Sequence, residues 1–569
     1  AAGVATVEAR GANEPDFKTF TNKPIIMKDY YEVSGSDASR IGWVEVSAEG
    51  GASGFLWYLK AEADTRARFN DYVEMSMLES VRGASGGNAV DAAVAAAFAL
   101  SVVEPSMSGI GGRTQILIYS PETGFHGIDA TTAAPSDYDY ENAPKKRYGY
   151  PSIGIPGVVK GLTKALSSHG SLTREIVMAP AIRIASKGHA LIAGEAIRQS
   201  NVKEQLLEFE GSRQHFLNTD GSSRLPGQWV VQKELASVLQ AISDEGPDVF
   251  YSGWVAEKIV EDNIANGGVL SMKAMKEYEA LDAHLVKGDY RGNEITGLWM
   301  PSFGAITIEA LQILESYKSD LSSNQDWGES IYHSIERAYL DRREQNTLED
   351  AERHTSKSWA NKRASEIHNE QSHLDGERLP ESFTAAMGHT SHLTVVDKDG
   401  MIVVLTQTVG TTMGSKVATP GLGFVYAQTL GGYLGEVKAG QRAASHISPI
   451  IISKDGQPFL GLGAAGGSRI PSSIVAVVSR IIDQGHSLEK AIRLPRVHPI
   501  ENGLDIEFAG FEGFTLSDSA YFSSLGHKVT VQRQIGRFGR IHAVIKGLNG
   551  SEWIGVADPD WEGSAMAPQ

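Results

Sequence analysis

Residues 388–408 read GHTSHLTVVDKDGMIVVLTQT, and the fold follows from how this stretch is divided. HLTVVD and MIVVLTQT are short runs rich in β-branched residues, and Asp399-Gly400 between them is the strongest short hairpin signal in the chain. Immediately upstream, residues 342–382 are rich in charge and poor in aliphatics, the composition of a solvated helix, a long loop or a linker. A polar tether therefore ends where a β-rich part begins. Thr390 and Ser391 stand at that junction, between His389 and His392. A threonine hydroxyl is a weak nucleophile unless a base lies within reach, and the residue's own α-amine, with a pKa of roughly 7.7–8.0, is one such base. That amine exists only if the chain is cut between His389 and Thr390. The expected route is attack of the Thr390 hydroxyl on the His389 carbonyl, an amide-to-ester shift, and release of the new terminus by water. Thr408, on the second strand, is expected to face Thr390 and orient it. The competing reading is an ordinary strand threonine with a satisfied hydroxyl.

The rest of the composition narrows the function. At 569 residues the chain has the length of three or four domains or of closely fused halves. With 41% hydrophobic and 21% charged residues it reads as a soluble globular protein. Its 52 basic and 69 acidic residues give a net charge of −17 with no Lys/Arg run, which argues against a nucleic-acid partner. The absence of cysteine removes disulfides, thiolate zinc sites and cysteine nucleophiles. The 16 histidines show no HExxH spacing, so no metal is implied, and threonine–amine chemistry needs no cofactor. The longest apolar run, AVDAAVAAAFALSVV (89–103), is too short for a membrane span and carries Asp91, so it is expected to be a packed internal helix. The chain begins AAGVATVEARG, with neither a basic n-region nor an apolar h-region, which fits either a cytoplasmic protein or a trimmed precursor.

Along the chain, GWVEV (42–46) and GFLWYL (54–59) read as short strand or helix pieces. In residues 83–105 a Gly-rich turn leads through Asn88, a plausible cap, into an alanine-dominated helix that closes before Pro105. TQILIYS (114–120) reads as a strand, with PETG (121–124) turning into FHGID (125–129). Residues 157–320 alternate helical segments with Gly/Pro turns and read as a mostly helical layer. Further strands are expected at 450–453, 459–467, 527–532 and 540–547. In GAAGGSRIPSSIVAVVSRII (463–482), Gly466 and Gly467 close an apolar strand and open an amphipathic helix, a place where backbone N–H groups serve as oxyanion donors; a plain turn is the blander reading.

The blocks GGNAVDAAVAAAFALSVVEPSMSGIGG (86–112), GIPGVVKGL (154–162), APAIRIASKGH (179–189), TSHLTVVDKDG (390–400), GTTMGS (410–415) and GAAGGSRIP (463–471) resemble, in order, the signature blocks of the γ-glutamyltranspeptidase family. The resemblance covers roughly residues 83 to 560. It implies an α+β fold: a four-layer αββα sandwich of the N-terminal nucleophile hydrolase type, with a helical layer from the large subunit. It also implies one precursor that cuts itself into two subunits. The division is then residues 1–82 as additional sequence, 83–389 as the large-subunit part and 390–569 as the small-subunit part. The implied chemistry is amide-bond hydrolysis or acyl transfer on a small-molecule amide. Thr390 is the implied nucleophile, Thr408 the supporting hydroxyl, and Gly466 with Gly467 the oxyanion donors; Ser391 replaces the family's second threonine.

The family's glutamate clamp is not reproduced. DATTAAP (129–135) carries Thr131 where γ-glutamyl enzymes have the arginine that holds the α-carboxylate. The asparagine after the supporting threonine corresponds to Gly410, the amine-binding aspartate to Gly431 in AQTLGGY (427–433), which also supplies Gln428, and the serine pair to Ser445-His446. Conversely, GIGGRT introduces Arg113, which either enters the pocket from another side to bind a differently placed carboxylate or stands exposed and paired. His446 is either a substrate contact or a buried, hydrogen-bonded histidine. The expectation is a non-glutamyl acyl amide as substrate; the alternatives are cleavage of a carbon–carbon bond beside a carbonyl, and a family member that never matures. Relatives are often exported, which makes the periplasm or the exterior the implied compartment and leaves the cytoplasm open.

Overall fold

The computed structural model describes residues 87–317, 320–369, 389–432, 435–501, 503–508, 513–533, 537–547, 550, 552–558 and 563–565. One compact unit spans Val73–Met566; the other, Ala1–Tyr72 with Ala567–Gln569, lies outside the described residues, as do the expected elements at 42–46 and 54–59. The strands in chain order are β1 (Arg113–Ser120), β2 (Gly124–Ala130), β3 (His189–Ala190), β4 (Trp229–Val230), β5 (Leu281–Asp282), β6 (Leu285–Tyr290), β7 (Asn293–Leu298), β8 (His389–Val396), β9 (Ile402–Gly410), β10 (Ile450–Lys454), β11 (Gln457–Ala465), β12 (Val497–Ile500), β13 (Gly503–Glu507), β14 (Lys528–Gln532), β15 (Arg540–Lys546) and β16 (Trp553–Ala557). The helices used below are α1 (Ala89–Val103), α2 (Val158–His169), α3 (Arg174–Lys187), α4 (Lys233–Glu245), α5 (Gly304–Tyr317), α6 (Asn324–Asp341), α7 (Lys357–Asn369) and α8 (Arg469–Ile482).

Two sheets form the centre. One has the order β5-β2-β1-β9-β8 and the other β16-β15-β11-β10-β7-β6. The period-two alternation of β9 shows why they stack. Val403 and Leu405 join a core with α1 to α4 on the outer face, while Ile402 and Val404 meet Leu298, Ile451 and Val544 between the sheets. On the far side Ile450, Ile452, Leu460 and Leu462 pack with α5, α6 and α8. The layering is thus helix, sheet, sheet, helix, the expected αββα sandwich. Among the described residues no helix is long and apolar enough to cross a membrane.

The Asn88 side chain accepts from the backbone of Val90 and Asp91, while Asp91 accepts from the Asn88 N–H, a closed capping box. Ala89, Ala93, Ala97 and Ala99 of α1 are buried and its other alanines half-buried, which suits a helix packed closely between a sheet and its neighbours. The hairpin around Asp399-Gly400 forms as the sequence predicts, with Gly400 at φ +88°.

One expectation needs correction, and one is narrowed. The supposed helical layer of 157–320 contains the hairpin β6–β7, which turns at Arg291 (φ +52°) and Gly292 (φ +76°) and forms the edge of the second sheet. Its exposed Lys287 and Glu294 break the apolar signal that an internal strand carries. The charged stretch from 342 onward is helical over most of its described part, the first of the three readings that its composition allows. It folds into a 3-10 turn, the helix Leu348–His354 and α7. On α7, Trp359 Nε1 donates to Glu309 (2.7 Å) and Asp341 (3.0 Å), and Arg363 Nε donates to Asp341 (2.8 Å), so charge is used here for anchoring.

Candidate active site

Thr390 sits one residue into β8 at an irregularity in the ladder. His389 pairs with Gly410 and Ser391 with Gln407, so Thr408 and Val409 together oppose the single residue Thr390. The bulge brings the two threonine side chains together. Thr390 Oγ1 donates to Thr408 Oγ1 at 3.3 Å, Gly410 N–H donates to the same oxygen at 2.9 Å, and Thr408 Oγ1 donates to the carbonyl oxygen of His389 at 2.6 Å. One donor and two acceptor sites are all a hydroxyl has, and all are used. The hydroxyl of Thr408 therefore polarises the carbonyl that precedes Thr390. Both threonines are buried.

The facing sheet is fixed against this site. A Cβ on Gly461 would lie 3.5 Å from Thr394 Cγ2, and one on Gly463 would lie 2.3 Å from His392 Cε1, so these glycines admit the side chains of β8. Each two-residue step back along β8 matches a two-residue step forward along β11. One further step brings Thr390 to the level of Ala465, beside Gly466. Gly466 has φ +151°, and a Cβ there would lie 2.7 Å from Gly539 Cα; Gly467 has φ +61°. Their carbonyls accept from the first turn of α8, whereas among the described residues their N–H groups have no hydrogen-bond partner. Two orphan donors at a helix start are the raw material of an anion site.

His392 backs the pair from within the same face, with Nδ1 2.7 Å from Thr406 Oγ1 and Nε2 3.0 Å from Thr394 Oγ1. Burial first, and the neighbouring His542 second, hold it well below the ordinary histidine pKa, so it is neutral. Ser391 points to the opposite face of the sheet. Its hydroxyl donates to Glu104 Oε2 at 2.9 Å and accepts from Ser108 Oγ at 3.0 Å. That placement makes Ser391 part of the support under the strand.

Arg113 is 2% exposed, so the surface reading of this residue fails. It pairs with Thr408 across β1 and β9, and directly opposed residues of an antiparallel pair share a face. Its Nη1 donates to the Gln428 carbonyl at 3.2 Å and lies 3.5 Å from Thr132 Oγ1. Gln428 Oε1 accepts from Thr411 Oγ1 at 2.8 Å, and Thr411 in turn accepts from Lys416 Nζ at 2.9 Å. Burial pushes the Lys416 ammonium down to about 8. His446 packs tilted against Phe303, with ring centroids 4.7 Å apart, and Arg342 lies over the Phe303 ring, 5.4 Å from its centroid. Loss of water, and then the charges of Arg342 and Arg113, hold His446 at about 3. Ser445 Oγ accepts from the Ile447 N–H and is used locally.

Of the remaining clamp positions, Thr131 spends its hydroxyl on Asp129 (2.5 Å) while accepting from Gln115 (3.1 Å). Gly431 has φ +74°, and a Cβ there would fall 2.0 Å from the Lys146 carbonyl oxygen. Sequence reasoning missed Lys416, Arg342 and Glu104. Lys416 stands one residue past the quoted GTTMGS block, and Arg342 opens the stretch set aside as a linker; Glu104, in the SVVEP segment, looks in sequence like the end of a helix and nothing more.

A sequence model of the family described as Gamma-glutamyltranspeptidase matches residues 78–568. The glutathione hydrolase proenzyme of Escherichia coli (strain K12) is 30% identical over 512 residues, covering 83% of this chain and 87% of that protein. The acylase ACY 1 proenzyme of Pseudomonas sp. (strain SE83) is 30% identical over 496 residues, covering 78% and 84%. Among solved structures, cephalosporin acylase from Bacillus halodurans superposes with a TM-score of 0.74 at 23% identity, over 85% of this chain and 93% of that one, which is a likeness of fold.

Proposed function

The chain belongs to the gamma-glutamyltranspeptidase family, and from that premise we propose that Thr390 is the nucleophile of a self-cleaving amidohydrolase that acts on a non-glutamyl acyl amide. The observation that carries the reading is the Thr408 hydroxyl, which holds Thr390 Oγ1 on one side and the His389 carbonyl on the other. In maturation the Thr390 oxygen adds to the His389 carbonyl carbon, and charge gathers on an oxygen already hydrogen-bonded to Thr408. The peptide C–N bond breaks, the nitrogen leaves as the α-amine of Thr390, and water hydrolyses the ester to the His389 carboxylate and a free hydroxyl. In turnover the same amine takes the proton from Thr390 Oγ1 and passes it to the leaving amine, and the acyl group rests on the threonine until water releases it. Gly466 and Gly467 are assigned as oxyanion donors, on the strength of N–H groups without a partner among the described residues and of their place just past Ala465, the residue level with Thr390.

Relatives described as proenzymes, a hydrolase and an acylase, support cleavage of a precursor and amide-bond chemistry. The engaged Thr131 and the closed position at Gly431 support an acyl group other than γ-glutamyl. The test is the intact mass of the purified protein with N-terminal sequencing of its fragments. Two pieces are expected, the smaller beginning Thr-Ser-His, and Thr390→Ala should leave one uncut chain. A variant that still splits at this bond refutes the assignment.

A further inference from the structure

His389, on the other side of the proposed scissile bond, is held by more than its carbonyl. It pairs with Gly410 along the β8–β9 ladder, and its carbonyl oxygen accepts from Thr408. Its imidazole meets the hydroxyl of Thr412, which lies 3.0 Å from Nε2 and 3.3 Å from Nδ1. A hydroxyl donates to a bare ring nitrogen and accepts from a protonated one, so this contact serves either tautomer. Backbone, carbonyl and ring of His389 are therefore all held just before the chain passes to Thr390.

Thr412 belongs to a turn that is fixed by groups other than its own hydroxyl. Met413 is left-handed (φ +58°), a conformation that a residue other than glycine keeps only under constraint, and its side chain is buried with Phe216, Val409 and Val425. Its N–H donates to the Ser106 carbonyl at 3.0 Å. A Cβ on Gly414 would lie 2.2 Å from the Tyr426 carbonyl oxygen, and the Ser415 N–H donates to that same oxygen at 2.9 Å. The Lys416 ammonium closes the turn by donating to Thr411 Oγ1 and to the carbonyls of Thr412 and Gly414. None of these anchors uses the Thr412 hydroxyl. Among the described residues its hydrogen-bond partner is the His389 ring alone. Removing that oxygen leaves the turn its supports and takes from His389 the hold on its ring.

The hold supplies orientation. Thr390 Oγ1 adds to the His389 carbonyl carbon only when the face of that carbonyl is turned toward it, and the face turns with the torsion about the Cα–C bond of His389. The Thr408 hydrogen bond restrains the oxygen and leaves the rest of the residue free to swing about it. A second restraint on the ring, across Cα from the carbonyl, removes that freedom. Small errors here are costly, since a displacement of about 1 Å slows a reaction by roughly 100-fold.

We propose that Thr412 is a positioning residue of self-cleavage: its hydroxyl grips the side chain that precedes the scissile bond and so presents the His389 carbonyl to Thr390. The chemistry it recognises is a hydrogen-bonding group at the reach of an imidazole, which an amide side chain supplies and an apolar one does not. The proposal rests on the assignment of Thr390 as the nucleophile. Thr412 acts through the His389 ring and takes no proton or bond in the reaction itself.

The rate of precursor conversion, followed by gel and by intact mass, tests this with single and paired substitutions. Thr412→Val should slow conversion by roughly 10-fold, the upper range for one neutral hydrogen bond, and Thr412→Ser should return it to within about threefold of the parent. His389→Ala should slow conversion as much as Thr412→Val does, and His389→Gln should slow it less. In the chain that carries both Thr412→Val and His389→Ala the two effects should not multiply, because each change removes the same contact. Conversion of Thr412→Val within about twofold of the parent overturns the proposal, being less than one hydrogen bond is worth. So does Thr412→Ser as slow as Thr412→Val, or a double variant whose losses multiply. The contact is also read without cleavage, in Thr390→Ala protein labelled with carbon-13 at histidine Cε1. The His389 resonance, identified by its loss on His389→Gln, should move on Thr412→Val; an unmoved resonance overturns the proposal even where the parent stays uncut. A parent that is uncut by mass refutes the nucleophile assignment, whereas a parent that cuts at a rate indifferent to Thr412 refutes only the role of Thr412.

Discussion

Replacing Thr408 by valine keeps the shape of the side chain and removes one oxygen. That oxygen donates to the His389 carbonyl at 2.6 Å and accepts from Thr390 Oγ1 at 3.3 Å and from the Gly410 N–H at 2.9 Å. In the intact precursor the donation to the carbonyl is an ordinary hydrogen bond. In the tetrahedral state it becomes a bond to an oxyanion in a site sheltered from water, and removing one such donor typically costs about 100–1000-fold in rate, or about 2.7–4 kcal/mol. The ground-state cost is smaller: one lost hydrogen bond plus a buried Gly410 N–H left without its acceptor, together about 2–3 kcal/mol. Thr408→Val should therefore fold and cut itself slowly, with a half-time about 100-fold or more above that of the parent, given the same oxyanion argument. Thr408→Ser, which keeps the hydroxyl, should stay within about 10-fold, since it loses only a methyl group from the packing. The assay is a gel time course of precursor conversion after rapid purification, with unfolding by urea as the stability control. If Thr408→Val cuts within threefold of the parent while remaining folded, the hydroxyl does not act on that carbonyl and the mechanism is wrong.

Three further outcomes follow from the same structure. Gly431→Asp should not install γ-glutamyl activity and should destabilise by more than about 2 kcal/mol, because the left-handed backbone and the Lys146 carbonyl both oppose the new Cβ; a stable variant with gained γ-glutamyl turnover would contradict this. Arg363→Met should cost about 3–5 kcal/mol, since it leaves Asp341 buried beside Glu309, whose carboxyl burial and the Asp341 charge already hold well above its usual value; denaturant unfolding reads it. His446, at about 3 in the folded protein, does not take up a proton that the unfolded chain binds near 6.5, so stability falls as pH drops from about 6.5 toward 3; His446→Gln should flatten the denaturation midpoint over that window, and an unchanged slope would remove His446 from the account.

The backbone of this argument was legible where chemistry and secondary structure leave local marks. The Asp399-Gly400 turn sets the hairpin, Asn88 and Asp91 cap α1, and Gly466-Gly467 mark the passage from β11 into α8. The hairpin β6–β7 was not legible, because an edge strand carries charges that erase its alternation. Nor was the fold of residues 342–369, where Trp359 and Arg363 find buried acids that are distant in sequence. The same limit explains the site. Thr390 and Thr408 belong to one hairpin, and their proximity follows from the turn between its strands. Arg113, on β1, and Lys416, in the segment after β9, are joined through Gln428 and Thr411 by tertiary contacts that no spacing in the sequence encodes. What the sequence showed at Arg113 was a charged residue open to two readings; whether it faced water or shared a buried face with Thr408 depended on its register in the sheet.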